Sequence, residues 1–216
     1  MGGFREVSVL FLICFQSWSA EKPDVALTRV PEPASGLRVM VHVYSGVNLS
    51  SSELSRAERE AEKVFLYTGI QLSWTSVLLD ADVHDKVPSL TWNAASLQLR
   101  LWPRVVASKQ PSSPETLGFC LSLEDGVAVV LADDVRKRAA YSSTKFDDLL
   151  GLAMAHELGH LLLRSAAHSV TGIMRARWTE EGLRDDDRGR LRFMPGEAES
   201  MRSEVRRRMG AETASK

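Results

Sequence analysis

"HELGHLLLRSAAHSVTGIM", residues 156–174, holds three of the five histidines in the 216-residue chain. His156 and His160 are four residues apart. On an α-helix four residues turn through about 400°, so both imidazoles stand on one face, one turn apart. That spacing lets two ring nitrogens reach a single zinc ion at about 2 Å. Glu157 is rotated by about 100° from His156, which sets its carboxylate beside such an ion rather than on it, as a general base towards water. The flanking residues of "LLGLAMAHELGHLLL", 149–163, are otherwise apolar, where unpaired imidazoles would cost desolvation energy.

A catalytic zinc usually takes three protein ligands and keeps one position open. Two residues downstream are candidates for the third. His168 lies eight residues past His160 and is followed by Gly172, which permits a tight turn, and by Met174, which can form an apolar floor under the ion. Glu180 lies twenty residues past His160, the separation used in thermolysin-like zincins, but Gly182 follows at once and "RARWTEEG" is a poor start for a second helix. Ligand chemistry and turn context favour His168 over Glu180.

His156, Glu157 and His160, then His168-Ser169 and Gly172-Ile173-Met174, resemble the metzincin superfamily of zinc peptidases. Its pattern is H-E-x-x-H-x-x-G-x-x-H followed by a methionine turn. The chain looks most like small secreted bacterial proteins of that type. The resemblance implies a zincin-like α/β (α+β) fold: a twisted mixed sheet, a long helix, an active-site helix bearing H-E-x-x-H, and a small C-terminal helical part. It also implies a Met-turn at Met174. The chain departs from the pattern in one place. The family's glycine would fall at Leu163 and its third histidine at Ala166, so the turn here is two residues longer and has no glycine between His160 and His168. A helix ending near Leu163 or Arg164 can still reverse through Ser165-Ala166-Ala167. A left-handed non-glycine residue there would cost about 1–2 kcal/mol.

Upstream, residues 1–20 read as a secretory signal peptide. One arginine precedes the apolar run "VSVLFLICF", and Ser17 and Ser19 provide small residues for cleavage after Ser19; cleavage after Ala20, with the bulky Trp18 three residues before the cut, is the other option. The run is too short to span a bilayer comfortably. Of the two cysteines, cleavage leaves Cys120 alone. No disulfide is then possible within the chain, and any metal site must be built from histidine and carboxylate. Cys120, in the alternating "LGFCLSL", reads as a buried structural thiol. A net charge of −1 gives no nucleic-acid footprint, and 44% apolar with 25% charged residues is a globular composition.

Residues 21–35 carry three prolines and form an extended lead-in to one domain over 36–210, with 211–216 as a tail. "GLRVMVHVYSGV" alternates as a mostly buried strand, with His42 a buried or rim residue. Ser50 and Glu53 have capping-box spacing ahead of a helix that Gly69 ends, and "IQLSWTSV" returns as a strand, implying a crossover and a parallel pair. Residues 77–93 read as an irregular excursion, with His84 in a solvated loop. "ASLQLRLW", "TLGFCLSL" and "GVAVVLAD" are strands, the last two joined by a turn at Glu124-Asp125-Gly126. Ser143 or Thr144 caps the histidine helix, and "PGEAESMRSEVRRRMG" forms a charged, solvated helix with Met201, Val205 and Met209 as a thin apolar stripe.

The sequence thus points to a secreted zinc-dependent endopeptidase. Zn2+ sits on His156, His160 and His168, Glu157 is the base, and "GVAVVLAD" is the strand that pairs with extended substrate. Its partner is a peptide or protein, with no nucleic acid and no stable membrane anchor after signal cleavage. The alternative is a secreted module that zinc only stabilises. A structural site is more often closed by four ligands, and no fourth ligand is evident.

Overall fold

The computed structural model describes residues 36–78, 96–104, 116–184 and 191–214. The signal peptide, the lead-in, His84 and most of the 77–93 excursion lie outside them. The elements, in order, are β1 (Arg38–Ser45), α1 (Ser51–Leu66), β2 (Gln71–Leu78), β3 (Ser96–Trp102), β4 (Gly118–Ser122), β5 (Val127–Leu131), α2 (Ala132–Ala140), α3 (Phe146–Leu163) and α4 (Pro195–Ala214).

The strands form one mixed sheet ordered β2-β1-β3-β5-β4. β1 pairs in parallel with β2 and β3, β3 in parallel with β5, and β5 antiparallel with β4. The β1–α1–β2 crossover is the expected one. Along β1, Val39, Val41 and Val43 face the helical core, so alternation turns His42 to the other face, where it is buried. α1 begins with a complete capping box: Glu53 N–H donates to Ser50 Oγ at 3.2 Å and Ser50 N–H to Glu53 Oε2 at 2.9 Å. Such a cap contributes about 1 kcal/mol.

α3 is the core of the domain. Leu149, Leu150, Leu152, Met154, Leu158, Leu161 and Leu162 are almost wholly buried on all sides, as suits a helix packed between α1, the sheet and α4. Its cap differs from the expectation. Lys145 is the N-cap residue, and its side chain makes no capping bond. Thr144 instead donates its hydroxyl to the buried Leu183 carbonyl at 3.0 Å, satisfying an acceptor that water cannot reach.

Further expectations change. β5 is not available for substrate pairing, because β3 and β4 flank it. The hairpin turns β4 outward, and β4 holds the sheet edge on this side. Residues 132–140 form a helix, α2, that apolar periodicity did not suggest; only Ala132, Asp134 and Val135 are buried in it. α4 continues through Gly210 to Ala214, so residues 211–214 extend the helix rather than forming a tail. Met201 and Val205 are buried as the stripe requires, yet α4 also buries charge. Arg208 donates to Glu204 at 2.8 Å, and both side chains are under a tenth exposed.

Candidate metal centre

α3 ends at Leu163, and Arg164 takes the left-handed conformation (φ 50°, ψ 38°) that a glycine would normally supply. This reversal brings Ser165 back over the last helical turn, where its carbonyl accepts the His160 Nδ1–H at 2.7 Å. Thirteen residues past His160, the Ile173 carbonyl accepts the His156 Nδ1–H at 2.8 Å. The Met174 turn is held by Ser169 N–H on the Met174 carbonyl (2.8 Å) and Ile173 N–H on the Arg192 carbonyl (3.1 Å). Met174 is fully buried beneath α3, and Gly159 is what admits it: a β-carbon there would lie 2.6 Å from Met174 Sδ and from Phe193 Cε1.

With both Nδ1 atoms committed to carbonyls, which only accept, the neutral rings turn unprotonated Nε2 atoms towards each other at 3.0 Å. Burial, and then the neighbouring His160, drive the His156 pKa down to about 4, so no proton bridges the two nitrogens at neutral pH. Burial likewise lowers His160. Two facing lone pairs repel, and a shared cation removes the repulsion. His168, exposed on the loop after α3, completes the group: one ligand atom from each of the three histidines falls within 4.8 Å of the others. The donor set is that of a three-histidine zinc site with room for a further ligand.

Glu157 lies under the β4 edge, 4% exposed, and burial pushes its carboxyl up to about 8. A cation beside it acts in the opposite sense. Gly118 of β4 backs directly onto this carboxylate. Cys120 is half-buried rather than fully buried, and its Sγ lies 3.9 Å from Glu157 Oε2. Burial, then the Glu157 charge, raises the thiol to about 12, so it stays protonated. Glu180 does not join the histidines. It is exposed and accepts from Arg138 at 2.8 Å.

One contributor has no sequence signature. The Trp178 indole meets the His156 ring edge-on at 5.6 Å and donates Nε1–H to the Ile173 carbonyl at 3.0 Å, the same oxygen that orients His156. Only its position four residues past Met174 could have drawn attention to it.

No protein-family model and no characterised protein matches the sequence. The fold does match. It aligns with a zinc-dependent peptidase from Methanocorpusculum labreanum over 74% of this chain and 99% of that one, with TM-score 0.50 and 14% identity. An archaemetzincin from Methanopyrus kandleri aligns over 80% of this chain and 98% of its own, with TM-score 0.45 and 15% identity. At these identities the likeness is one of fold. The chemistry rests on the residues of this chain.

Proposed function

We propose that the protein is a secreted zinc-dependent metallopeptidase of metzincin type, acting as an endopeptidase, with His156, His160 and His168 as zinc ligands and Glu157 as general base. The observation that carries this reading is the pair of unprotonated Nε2 atoms facing each other at 3.0 Å, with the third imidazole and a buried carboxylate alongside. The zinc dependence stated for the Methanocorpusculum protein supports the choice of metal. The N-terminal apolar run supports secretion.

When bound, zinc supplies a water of lowered pKa and a Lewis acid for the scissile carbonyl. The chain's own groups do the rest. Glu157 takes a proton at its carboxylate as water attacks the carbonyl carbon, then returns it to the departing amine. The outer edge of β4, the last strand of the sheet among the described residues, pairs with an extended peptide backbone, holding it across α3. Ile173 and Ser165 fix the tautomers of His156 and His160, the outer-shell role carbonyls commonly play.

The test is cleavage of a mixed peptide library by zinc-loaded residues 21–216, beside the Glu157→Ala variant. Cleavage by the parent, with a zinc-retaining but inert variant, supports the proposal. Two inert proteins that each retain one zinc would point instead to a module stabilised by metal.

A further inference from the structure

The three imidazoles reach the proposed zinc by different routes. His156 and His160 stand one turn apart on α3, and a carbonyl on Nδ1–H orients each ring. His168 lies beyond the helix and is exposed. Its ring meets the other two with centroids 5.3 Å from His156 and 4.9 Å from His160. A loop residue binds a metal tightly only when the chain around it is already in place, because ordering it on binding costs affinity.

The residue after His168 supplies that order. The Ser169 N–H, part of the peptide unit shared with His168, donates to the Met174 carbonyl at 2.8 Å. The Ser169 hydroxyl donates to Glu197 Oε1. Glu197 stands in the first turn of α4, and its Oε2 accepts the Met194 N–H at 2.7 Å. Both carboxylate oxygens are thus engaged, one by the start of α4 and one by the ligand loop. A hydroxyl on a carboxylate makes a charge-assisted bond, roughly twice as strong as a neutral one.

The rest of the loop lies against the segment that leads into α4. Ile173 N–H donates to the Arg192 carbonyl, and Thr171 Oγ1 to Met194 Sδ at 3.4 Å. A β-carbon at Gly172 would lie 2.5 Å from the Arg192 carbonyl oxygen. These contacts hold residues 171–173, at the Met174 end of the loop. Glu197 holds the His168 end.

We infer that Glu197 is a positioning residue for the proposed zinc site. Through the Ser169 hydroxyl it fixes the backbone at His168, where the third imidazole meets the other two. The inference rests on the three-histidine reading of the site. It makes α4 part of that site, although no residue of α4 is a ligand.

The experiment is zinc titration against a chromophoric chelator for the wild type, Ser169→Ala, Glu197→Ala and the double variant. Zinc K-edge absorption on each protein at saturating zinc counts the histidine nitrogens. Losing an outer-shell partner commonly weakens metal binding about 10–100-fold, and each single variant should fall in that range with fewer than three histidine nitrogens on zinc. The double variant should be no weaker than the weaker single, because both substitutions break the same bond. Ser169→Thr keeps the hydroxyl and should bind zinc as the wild type does. Glu197→Ala also removes the bond to Met194. Ser169→Ala leaves that bond in place, so with Ser169→Thr it carries the test should circular dichroism show Glu197→Ala unfolded. With zinc bound to the wild type, undiminished affinity in Ser169→Ala, losses that multiply in the double variant, or a Ser169→Thr protein as weak as Ser169→Ala overturns the inference and leaves the three-histidine reading standing. A wild type that takes up no zinc removes that reading, and the inference with it.

Discussion

Gly118 on β4 and Glu157 on α3 are fitted to each other. A β-carbon at residue 118 would lie 2.6 Å from Glu157 Oε1 and 2.7 Å from the Val129 carbonyl. The carboxylate therefore occupies the space a side chain would take on the edge strand, which brings the proposed base against the strand that would carry substrate. Gly118→Ala should displace Glu157 by a fraction of an ångström to an ångström and lower kcat/KM by about 100-fold. Zinc content should not change, because the side chain nearest to residue 118 is Glu157, which is not one of the proposed ligands. Steady-state kinetics with metal analysis on one preparation checks both halves. Undiminished activity would mean that the Glu157 position does not matter.

Gly159→Ala tests the floor of the site. The new methyl would meet Met174 Sδ and the Phe193 ring, both buried, so relief requires the turn or α3 to move. Overpacking of this kind costs about 1–3 kcal/mol. Urea denaturation of the metal-free protein should show a loss in that range.

Arg164 offers the opposite opportunity. Its left-handed backbone carries a strain of about 1–2 kcal/mol that glycine does not feel. Glycine gains freedom in the unfolded chain, and the substitution gives up a partly exposed contact with Glu204 at 3.6 Å, so only part of the strain returns as stability. Arg164→Gly should raise the denaturation midpoint slightly while leaving zinc affinity intact. A lower midpoint would mean that the ion pair outweighs the strain.

Much of this arrangement is legible in the sequence, for physical reasons that differ by element. α3 and its histidine pair follow from helical periodicity, and the α1 cap follows from a local rule linking residues three apart. The left-handed reversal after Leu163 follows from chain length, because His168 must return to the helix it has just left. Which strand takes the sheet edge does not follow in this way. The β4–β5 hairpin is evident from its turn, but only the parallel pairing of β5 with β3 turns β4 outward. α2 is missed because a nine-residue helix on the surface needs few apolar positions. Its charges were the available signal, with Asp133 and Asp134 in the first turn and Lys137 and Arg138 in the last, matching the helix dipole. Glu204 and Arg208 read as solvated because burial of an ion pair four residues apart depends on what docks against it.

That pair sets an acid limit on stability. Burial alone would raise the Glu204 carboxyl, but hydrogen bonds from Arg207 and Arg208 outweigh it and hold the pKa at about 2. A depressed carboxyl pKa contributes stability that is complete above the unfolded value, near 4.3, and is lost as pH falls towards 2. Urea midpoints of the metal-free protein should therefore decline over that window. Glu204→Gln should be less stable at neutral pH and show a shallower decline. Parallel declines in both proteins would assign the acid sensitivity to other carboxylates.

At the heart of the proposed function is one zinc ion held by three imidazoles of this chain. The most direct measurement is zinc stoichiometry by mass spectrometry joined to zinc K-edge absorption on the wild type and the His160→Ala and His168→Ala variants. One zinc per chain with three histidine nitrogens is expected in the wild type, with at least a large loss of affinity in each variant. A wild type that retains no zinc, or variants that hold it as tightly with the same nitrogen count, would contradict it.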